Sequence, residues 1–228
     1  MIRKRNNPIV GKNSFENAAW KGKSVVCGID EVGRGCLAGP LVTSAVILPP
    51  YTQHKLLRDS KQMSQKQLLE AYNWIKDHCT YNVGIVRNWQ IDQHNIYNAT
   101  KIAMKKALAH VFALSDLQPS AILIDAMPLD ISDTLSEAIP VYSFEKGESK
   151  STSIAAASIV AKVVRDNLMR KLDPIFPGYH FSKHKGYGTK IHKEAIDLQK
   201  HTIMHRLSFL NNLCIGGNHE QKEQLSLW

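Results

Sequence analysis

The sequence of 228 residues has a formal net charge of +9 and is 43% hydrophobic, which excludes a chain disordered by composition and predicts one domain with short appendages. It has no stretch near the roughly 20 uninterrupted apolar residues of a membrane-spanning helix, no apolar segment of a secretory signal behind its basic start, and four cysteines without the spacing of disulfides or a zinc site. We therefore expect a cytoplasmic protein without a membrane segment, whose positive charge favours nucleic acid as a partner.

The first predicted elements surround a glycine-rich segment. Residues 1–22 are polar, basic and without periodicity, which predicts a mobile arm. Apolar runs at 25–29 and 41–48 lie on either side of the glycines and predict adjacent antiparallel strands. Ser64 begins a capping-box pattern, which predicts a helix that ends near Cys79.

In the rest of the chain, patterns typical of strands alternate with patterns typical of helices. Residues 81–87, 121–124 and 141–143 are predicted strands, and 91–114 is a long helix or two consecutive ones. Small residues predict a tightly packed helix over 152–172. After it come a loop at 174–189, helical residues near 190–199 and 202–210, and a polar tail from 211. Strands first, then strands alternating with helices, predict a mixed α/β layer.

Three carboxylates follow predicted strands. Asp30 and Glu31 end the first apolar run, and Asp125 ends the run at 121–124. Strand ends are where α/β sheets usually bind ligands, and carboxylates that converge there cannot all stay ionised without a cation. Hard oxygen donors favour Mg²⁺ or Mn²⁺. The spacing alone is equally consistent with a second interpretation, in which each acid caps a turn or pairs with a basic side chain.

Two loops have the composition of nucleic-acid contacts. Gly33 and Gly35 enclose Arg34 and lead into a strand, so they do not open a helix as dinucleotide-binding glycines do. They are typical of backbone N–H groups exposed to a ligand, with an arginine for phosphate, or of a plain turn. Tyr187 lies between glycines in a basic loop, where it could stack on a sugar or base or simply be exposed.

Ordered motifs extend over most of the chain. They are Gly28-Ile-Asp-Glu-Val-Gly-Arg-Gly-Cys-Leu-Ala-Gly-Pro40, Asp59-Ser-Lys61, Asn95-Ile-Tyr-Asn-Ala-Thr-Lys101, Ile122-Leu-Ile-Asp125, Lys146-Gly-Glu-Ser149, Ala155-Ala-Ala-Ser-Ile-Val-Ala-Lys162 with Arg165-Asp166, His184-Lys-Gly-Tyr-Gly-Thr189 and His205-Arg-Leu-Ser-Phe209. Over about residues 24–210 they resemble the type 2 ribonucleases H, specifically bacterial ribonuclease HII.

This resemblance implies a fold and an activity. The fold is α/β and ribonuclease H-like, a central mixed β-sheet flanked by helices with a C-terminal helical segment. The activity is that of an endonuclease that hydrolyses the RNA strand of RNA–DNA hybrids and cuts at ribonucleotides embedded in duplex DNA. Two divalent cations, Mn²⁺ or Mg²⁺, would support in-line attack that leaves 5′-phosphate and 3′-hydroxyl ends. We expect the chain to act as a monomer.

The resemblance also assigns residues. Asp30, Glu31 and Asp125 would be the metal-binding acids. The substrate contacts would be Gly33, Arg34 and Gly35 at the ribose 2′-hydroxyl and nearby phosphates, Tyr187 at the RNA–DNA junction, and Lys61 and Lys146 at backbone phosphates.

The fourth catalytic acid departs from the family pattern. Glu148 stands where the family usually has Asp, and its side chain is one methylene longer. Asp166 is a rival, although its place beside Arg165 on a helix favours a structural ion pair. Asp130 is a remoter candidate.

These assignments divide the chain into a basic arm (1–22), a catalytic domain (23–211) and a polar tail (212–228). Two alternatives stay open at this point. One is the same fold with another substrate, as in ribonuclease HIII or DNA-cutting relatives. The other is a non-catalytic nucleic-acid-binding module, which would not depend on a metal.

Overall fold

A computed structural model describes residues 11–134 and 139–210. The strands are β1 (Val25–Val32), β2 (Leu41–Ile47), β3 (Thr80–Val86), β4 (Pro119–Asp125) and β5 (Val141–Phe144). The helices are α1 (Ser14–Lys21), α2 (Gln65–His78), α3 (Asn88–Leu114), α4 (Gly147–Lys150), α5 (Thr152–Leu172), α6 (Phe181–His184), α7 (Lys190–Gln199) and α8 (Leu207–Leu210). Within the described ranges, no helix is both long and apolar enough to cross a membrane.

The strands form one mixed sheet in the order β3-β2-β1-β4-β5. β1 pairs antiparallel with β2, which confirms the predicted adjacent antiparallel strands on either side of the glycine-rich segment. β2 also pairs antiparallel with β3. β1 pairs parallel with β4, and β4 pairs parallel with β5. The predicted α/β fold, a mixed sheet flanked by helices, is therefore confirmed.

Helices cover both faces of the sheet. Ile29 and Ala45 share a buried cluster with Met104 and Leu108 of α3. Val46 belongs to a second cluster, made with α2 and α5. This separation follows from the strand repeat, since successive side chains of β2 point to opposite faces.

The predicted small-residue helix has the expected bounds, Thr152–Leu172, and packs directly on β1. A β-carbon added at Gly28 would lie only 2.2 Å from the carbonyl carbon of Ser153. Gly28 thus permits a close approach between the strand and the first turn of α5. This contact matters for the site, because Asp30 lies two residues further along β1.

Part of the predicted N-terminal arm is helical. Ser14–Lys21 forms α1, whose Trp20 and Glu16 are buried and whose Phe15 ring packs on Tyr142. The prediction of an unpatterned arm over residues 1–22 is therefore wrong for this segment, which packs against distant parts of the chain. The remaining predicted arm, at residues 1–10, and the predicted tail, at 212–228, lie outside the described residues.

Two helical predictions also need correction or refinement. The long helix α3 is interrupted at Asn95, which has non-helical φ and ψ of 61° and 163°, so the alternative of two consecutive helices describes it well. The predicted helix over 202–210 is helical only from Leu207. Its first part is instead irregular, because His205 bridges to Ala38 and the amide of Arg206 donates to the carbonyl of Leu37.

Candidate active site

The parallel pairing of β1 and β4 brings two predicted acids side by side. Ile29 is the register partner of Ile124, so Asp30 and Asp125 follow at the same carboxyl edge of the sheet. Glu148 reaches this edge from α4, just after β5. One carboxylate oxygen from each of Asp30, Asp125 and Glu148 lies within 4.8 Å of the other two. The structure therefore gathers three acidic groups from distant parts of the sequence.

Backbone amides and a hydroxyl orient these carboxylates. The Gly147 amide donates to Asp125 Oδ1 at 2.7 Å, and the Glu31 amide donates to Asp30 Oδ1 at the same distance. The Ser158 hydroxyl donates to Glu148 Oε1 at 2.9 Å. Glu148 is only 7% exposed, so its position is set by packing as well as by these bonds.

The carboxylates are close enough to disfavour full ionisation. Burial raises the pKa of Asp30 well above its ordinary value, and the carboxylates of Glu31 and Asp125 raise it further. Burial raises the pKa of Glu31 to about 7, although the Arg34 guanidinium lowers it. Buried carboxylates whose negative charges repel one another in this way favour the binding of a cation.

The donor set fits a hard divalent cation. Glu31 Oε2 is buried and has no hydrogen-bond partner among the described residues. Together with the oxygens of Asp30, Asp125 and Glu148, it offers only carboxylate ligands, the kind that Mg²⁺ and Mn²⁺ prefer. Asp30, Asp125 and Glu148 could hold a cation in common, with Glu31 beside them.

The two rivals for the fourth acid lie elsewhere. Asp166 forms an ion pair with Lys162 at 3.1 Å, so the expected structural pair exists, but its partner is Lys162 and not Arg165. Asp130 accepts a hydrogen bond from the amide of Ser132 and is exposed. Neither belongs to the acidic group that contains Glu148.

The glycine-rich loop places its predicted residues in different surroundings. Gly33 has a φ of +99°, and a β-carbon there would lie 2.2 Å from Nε of Arg165, so this position serves the packing of that arginine. Gly35 is exposed, and a β-carbon added there meets no atom within 4 Å, so a ligand can approach it. Arg34 is half-exposed and its Nη1 lies 3.5 Å from Glu31 Oε1, which places its guanidinium beside the acids.

The Tyr187 loop is attached to this glycine loop. The amide of Leu37 donates to the carbonyl of Gly186 at 2.8 Å, and Cys36 and Tyr187 form an isolated β-bridge. Tyr187 is 42% exposed, with the Arg165 guanidinium 5.9 Å from the centre of its ring. The two predicted recognition loops therefore form one continuous surface.

The two predicted phosphate-binding lysines lie at the edge of the acidic group. Lys61 lies in a short 3-10 turn (Ser60–Gln62), and its Nζ is 3.5 Å from Glu148 Oε1. Burial lowers the pKa of Lys61, but the carboxylates of Glu148 and Asp30 raise it by more. Lys146 is exposed and adopts a left-handed backbone conformation just before α4.

Two buried arginines donate hydrogen bonds to carbonyls of the glycine-rich loop, a supporting role that the sequence patterns do not predict. Arg165 donates to the carbonyls of Pro40, Ala38 and Lys185, at 2.9, 3.2 and 2.8 Å. Arg206 donates to the carbonyls of Gly39 and Arg34. Both arginines belong to the sequence motifs noted above, and their presence in those motifs is the signal that could indicate their importance.

Comparisons with known proteins agree with this geometry. The family model of ribonuclease HII matches residues 27–212. The ribonuclease HII of Archaeoglobus fulgidus, solved in complex with PCNA, is 25% identical with a TM-score of 0.62, and the match covers 80% of this chain and 94% of that one. The ribonuclease H2 of Pyrococcus horikoshii OT3 is also 25% identical, with a TM-score of 0.61 and coverage of 81% and 93%.

A third structure supports the fold alone. It is Bst-RNase HIII in complex with Mn²⁺, at 22% identity and a TM-score of 0.67, where the match covers 92% of this chain and 74% of that one. The match of the family model over most of the described residues settles the family, and with it the class of reaction. Enzymes of the ribonuclease H family act on RNA–DNA hybrids and use divalent metals. The chain belongs to the ribonuclease HII family and is a ribonuclease H, a hydrolase.

Proposed function

We propose that this protein is a bacterial ribonuclease HII that acts in the cytoplasm as a monomer. In this proposal it hydrolyses the RNA strand of hybrids and also cuts at single ribonucleotides embedded in duplex DNA. The observation that carries the proposal is the meeting of Asp30, Asp125 and Glu148, with oxygens within 4.8 Å, at the sheet edge next to the glycine and Tyr187 loops.

The acidic group supplies the hydrolytic half of the site. Asp30, Glu31 and Asp125 would hold Mg²⁺ or Mn²⁺, with Glu148 as the fourth acid. Two such cations would stabilise the charge that develops on the attacking water and on the leaving 3′-oxygen during in-line displacement. The carboxylates keep their positions because Gly147 and Ser158 donate hydrogen bonds to Asp125 and Glu148. The products would carry 5′-phosphate and 3′-hydroxyl ends.

The two loops supply recognition of the ribonucleotide. RNA differs from DNA by its 2′-hydroxyl, which is read only by groups that approach the sugar closely. The exposed backbone at Gly35 permits such an approach, and Arg34 is placed for a neighbouring phosphate. Tyr187 presents a half-exposed ring for the sugar at the RNA–DNA junction. Gly33 would act by shaping this loop, since its own surroundings are filled by Arg165.

The basic side chains at the rim would hold the nucleic-acid backbone. Lys61 Nζ lies 3.5 Å from Glu148 Oε1, and Lys146 precedes Glu148 by two residues in the sequence. Neutralising phosphates with such residues releases counterions, so this part of the binding should weaken steeply with salt.

A cleavage assay with three duplexes tests the proposal. One is all DNA, one is the same DNA with a single ribonucleotide, and one is an RNA–DNA hybrid. Each is incubated in Mg²⁺, Mn²⁺ or EDTA, and the product ends are analysed. We expect cleavage of the hybrid and of the single-ribonucleotide duplex in either metal, and none in EDTA.

Each alternative has its own outcome in the same assay. Cleavage of the hybrid without cleavage at the single ribonucleotide would support the ribonuclease HIII alternative. Cleavage of the all-DNA duplex would indicate a DNA-cutting relative. Binding without cleavage of any duplex would indicate a non-catalytic binding module.

A further inference from the structure

Helix α1, outside the residues matched by the family model, bonds to the segment that carries Glu148. The amide of Asn13, the residue before α1, donates to the carbonyl of Lys150 at 2.7 Å. Asn13 Oδ1 accepts hydrogen bonds from both the amide and the hydroxyl of Thr152, each at 2.8 Å. These bonds tie α1 to the junction between α4 and α5.

Glu16 makes the same connection from within α1. It is only 1% exposed, and its Oε1 accepts hydrogen bonds from the Ser151 hydroxyl at 2.5 Å and the Ser153 amide at 3.1 Å. A carboxylate is costly to bury, and it is favoured at a helix N-terminus, where backbone N–H groups lack partners within the helix. Glu16 therefore holds the first turn of α5 through hydrogen bonds to Ser151 and Ser153.

Three sets of contacts fix the first turn of α5. Gly28 of β1 approaches the backbone of Ser153 so closely that a β-carbon added to it would lie 2.2 Å from the carbonyl carbon of Ser153. Glu16 accepts a hydrogen bond from the amide of Ser153. From the chain itself, the Ser151 amide donates to the carbonyl of Gly147 at 2.9 Å, the residue before Glu148. The position of Glu148 relative to Asp30 therefore depends on where this turn is held.

We propose that Asn13 and Glu16 are positioning residues for the metal-binding carboxylates, which act by fixing the α4–α5 junction against β1. The proposal rests on the proposed function, because it takes Asp30, Glu31 and Asp125, with Glu148 as the fourth acid, to be the metal site. It extends the functional unit to α1, which contributes no group to that site. Removing the contacts weakens metal binding more than it changes the rate of the fully metal-loaded enzyme.

Calorimetric titration of the full chain with Mn²⁺, without nucleic acid, is the test. Glu16→Ala leaves the Ser151 hydroxyl and the Ser153 amide without their acceptor. Changes in the groups that support metal ligands commonly weaken affinity 10–100-fold, and we expect about tenfold here because the action is indirect. Glu16→Gln keeps Oε1 as an acceptor and should bind Mn²⁺ within about twofold of wild type.

Two further variants separate positioning from general stability. Asn13→Gly keeps the left-handed backbone, whose φ is 60°, but removes the Oδ1 acceptor, and should also weaken Mn²⁺ binding severalfold if Glu16→Ala fails to fold. Val111→Ala is the matched control, since it removes buried packing in the cluster on the opposite face of the sheet. We expect it to lower the unfolding temperature without changing Mn²⁺ affinity.

The outcomes distinguish this inference from the proposed function. Cleavage rates at saturating Mn²⁺ should stay within a few-fold of wild type for Glu16→Ala and Asn13→Gly. If both variants bind Mn²⁺ as tightly as Val111→Ala does, the positioning role is wrong while the metal site stands. If wild type itself binds no Mn²⁺, both the positioning role and the proposed metal site are wrong.

Discussion

Replacing Asp125 by Asn should abolish cleavage and, in the absence of metal, make the protein more stable. Asn keeps an oxygen that can accept the hydrogen bond from the Gly147 amide, now 2.7 Å from Asp125 Oδ1. The substitution removes one negative charge from a group whose oxygens lie within 4.8 Å of one another. We therefore expect the variant to lose both the repulsion among the carboxylates and the binding of the proposed cation.

The expected gain in stability follows from Coulomb's law. Two unit charges 4.8 Å apart repel by about 3 kcal/mol at an effective dielectric constant of about 20. Partial protonation reduces this repulsion, because the pKa of Asp30 is raised by burial and by neighbouring carboxylates. We expect Asp125→Asn to gain about 1–3 kcal/mol in EDTA, which is roughly 3–10 °C in unfolding temperature for a chain of this size.

The pH dependence has a definite sign. The pKa values of Asp30 and Glu31 are higher in the folded wild type than in the unfolded chain, so the folded state binds their protons more tightly. Without metal, these two groups therefore favour the folded state at low pH. This contribution to the free energy of unfolding falls as the pH rises towards about 7, the pKa of Glu31. The advantage of Asp125→Asn should therefore grow over the same range.

Thermal unfolding of both proteins at pH 5 and pH 8, in EDTA and in Mn²⁺, measures this directly. Wild type should be stabilised by Mn²⁺ and the variant hardly at all. The reasoning is refuted if Asp125→Asn is less stable than wild type in EDTA at pH 8, or if it keeps more than a tenth of wild-type cleavage in Mg²⁺.

Three other predictions concern the fourth acid, the tyrosine and the buried histidines. Glu148→Asp should keep or raise the cleavage rate in Mg²⁺, while Glu148→Gln should lose much of the rate in Mg²⁺ and less of it in Mn²⁺, because Mg²⁺ demands stricter geometry. Equal cleavage rates for Glu148→Gln and wild type in both metals would contradict this prediction. Tyr187→Ala should lower cleavage at a single ribonucleotide more than cleavage of a long hybrid, and an equal loss on both substrates would remove the ring from recognition. Burial lowers the pKa of His192 and of His205 to about 4, so these groups destabilise the fold as the pH falls from 6.5 to 4; an NMR titration that finds either imidazole half-protonated near pH 6.5 would contradict that.

The order and type of most elements could be predicted from local patterns. The capping box at Ser64 and the small residues of α5 are short-range signals, and both are confirmed. The N-terminal helix α1 was missed because its order depends on contacts with distant residues, such as that of Phe15 with Tyr142. The segment before Leu207 was wrongly predicted as helix, because pairing of Arg206 with Leu37 replaces helical hydrogen bonds there.

The convergence of two of the acids could be predicted from the sequence, but the contacts that support them could not. Asp30 and Asp125 follow apolar runs, and the parallel register that joins those runs brings the two acids together. Sequence patterns do not show which of Glu148 and Asp166 reaches that edge, since the answer depends on the packing of α4. Nor do they show that Arg165 is buried beneath the glycine loop, because a charged residue on a helix usually faces solvent.

The most direct test of the central claim is anomalous diffraction from crystals of the protein soaked in Mn²⁺. The account predicts Mn²⁺ peaks in contact with carboxylate oxygens of Asp30 and Asp125, with Glu148 in direct or water-mediated contact, and no such peaks in crystals of Asp125→Asn. Mn²⁺ bound only at other residues, in crystals whose dissolved protein still cleaves an RNA–DNA hybrid, would contradict the claim that these acids form the catalytic metal site.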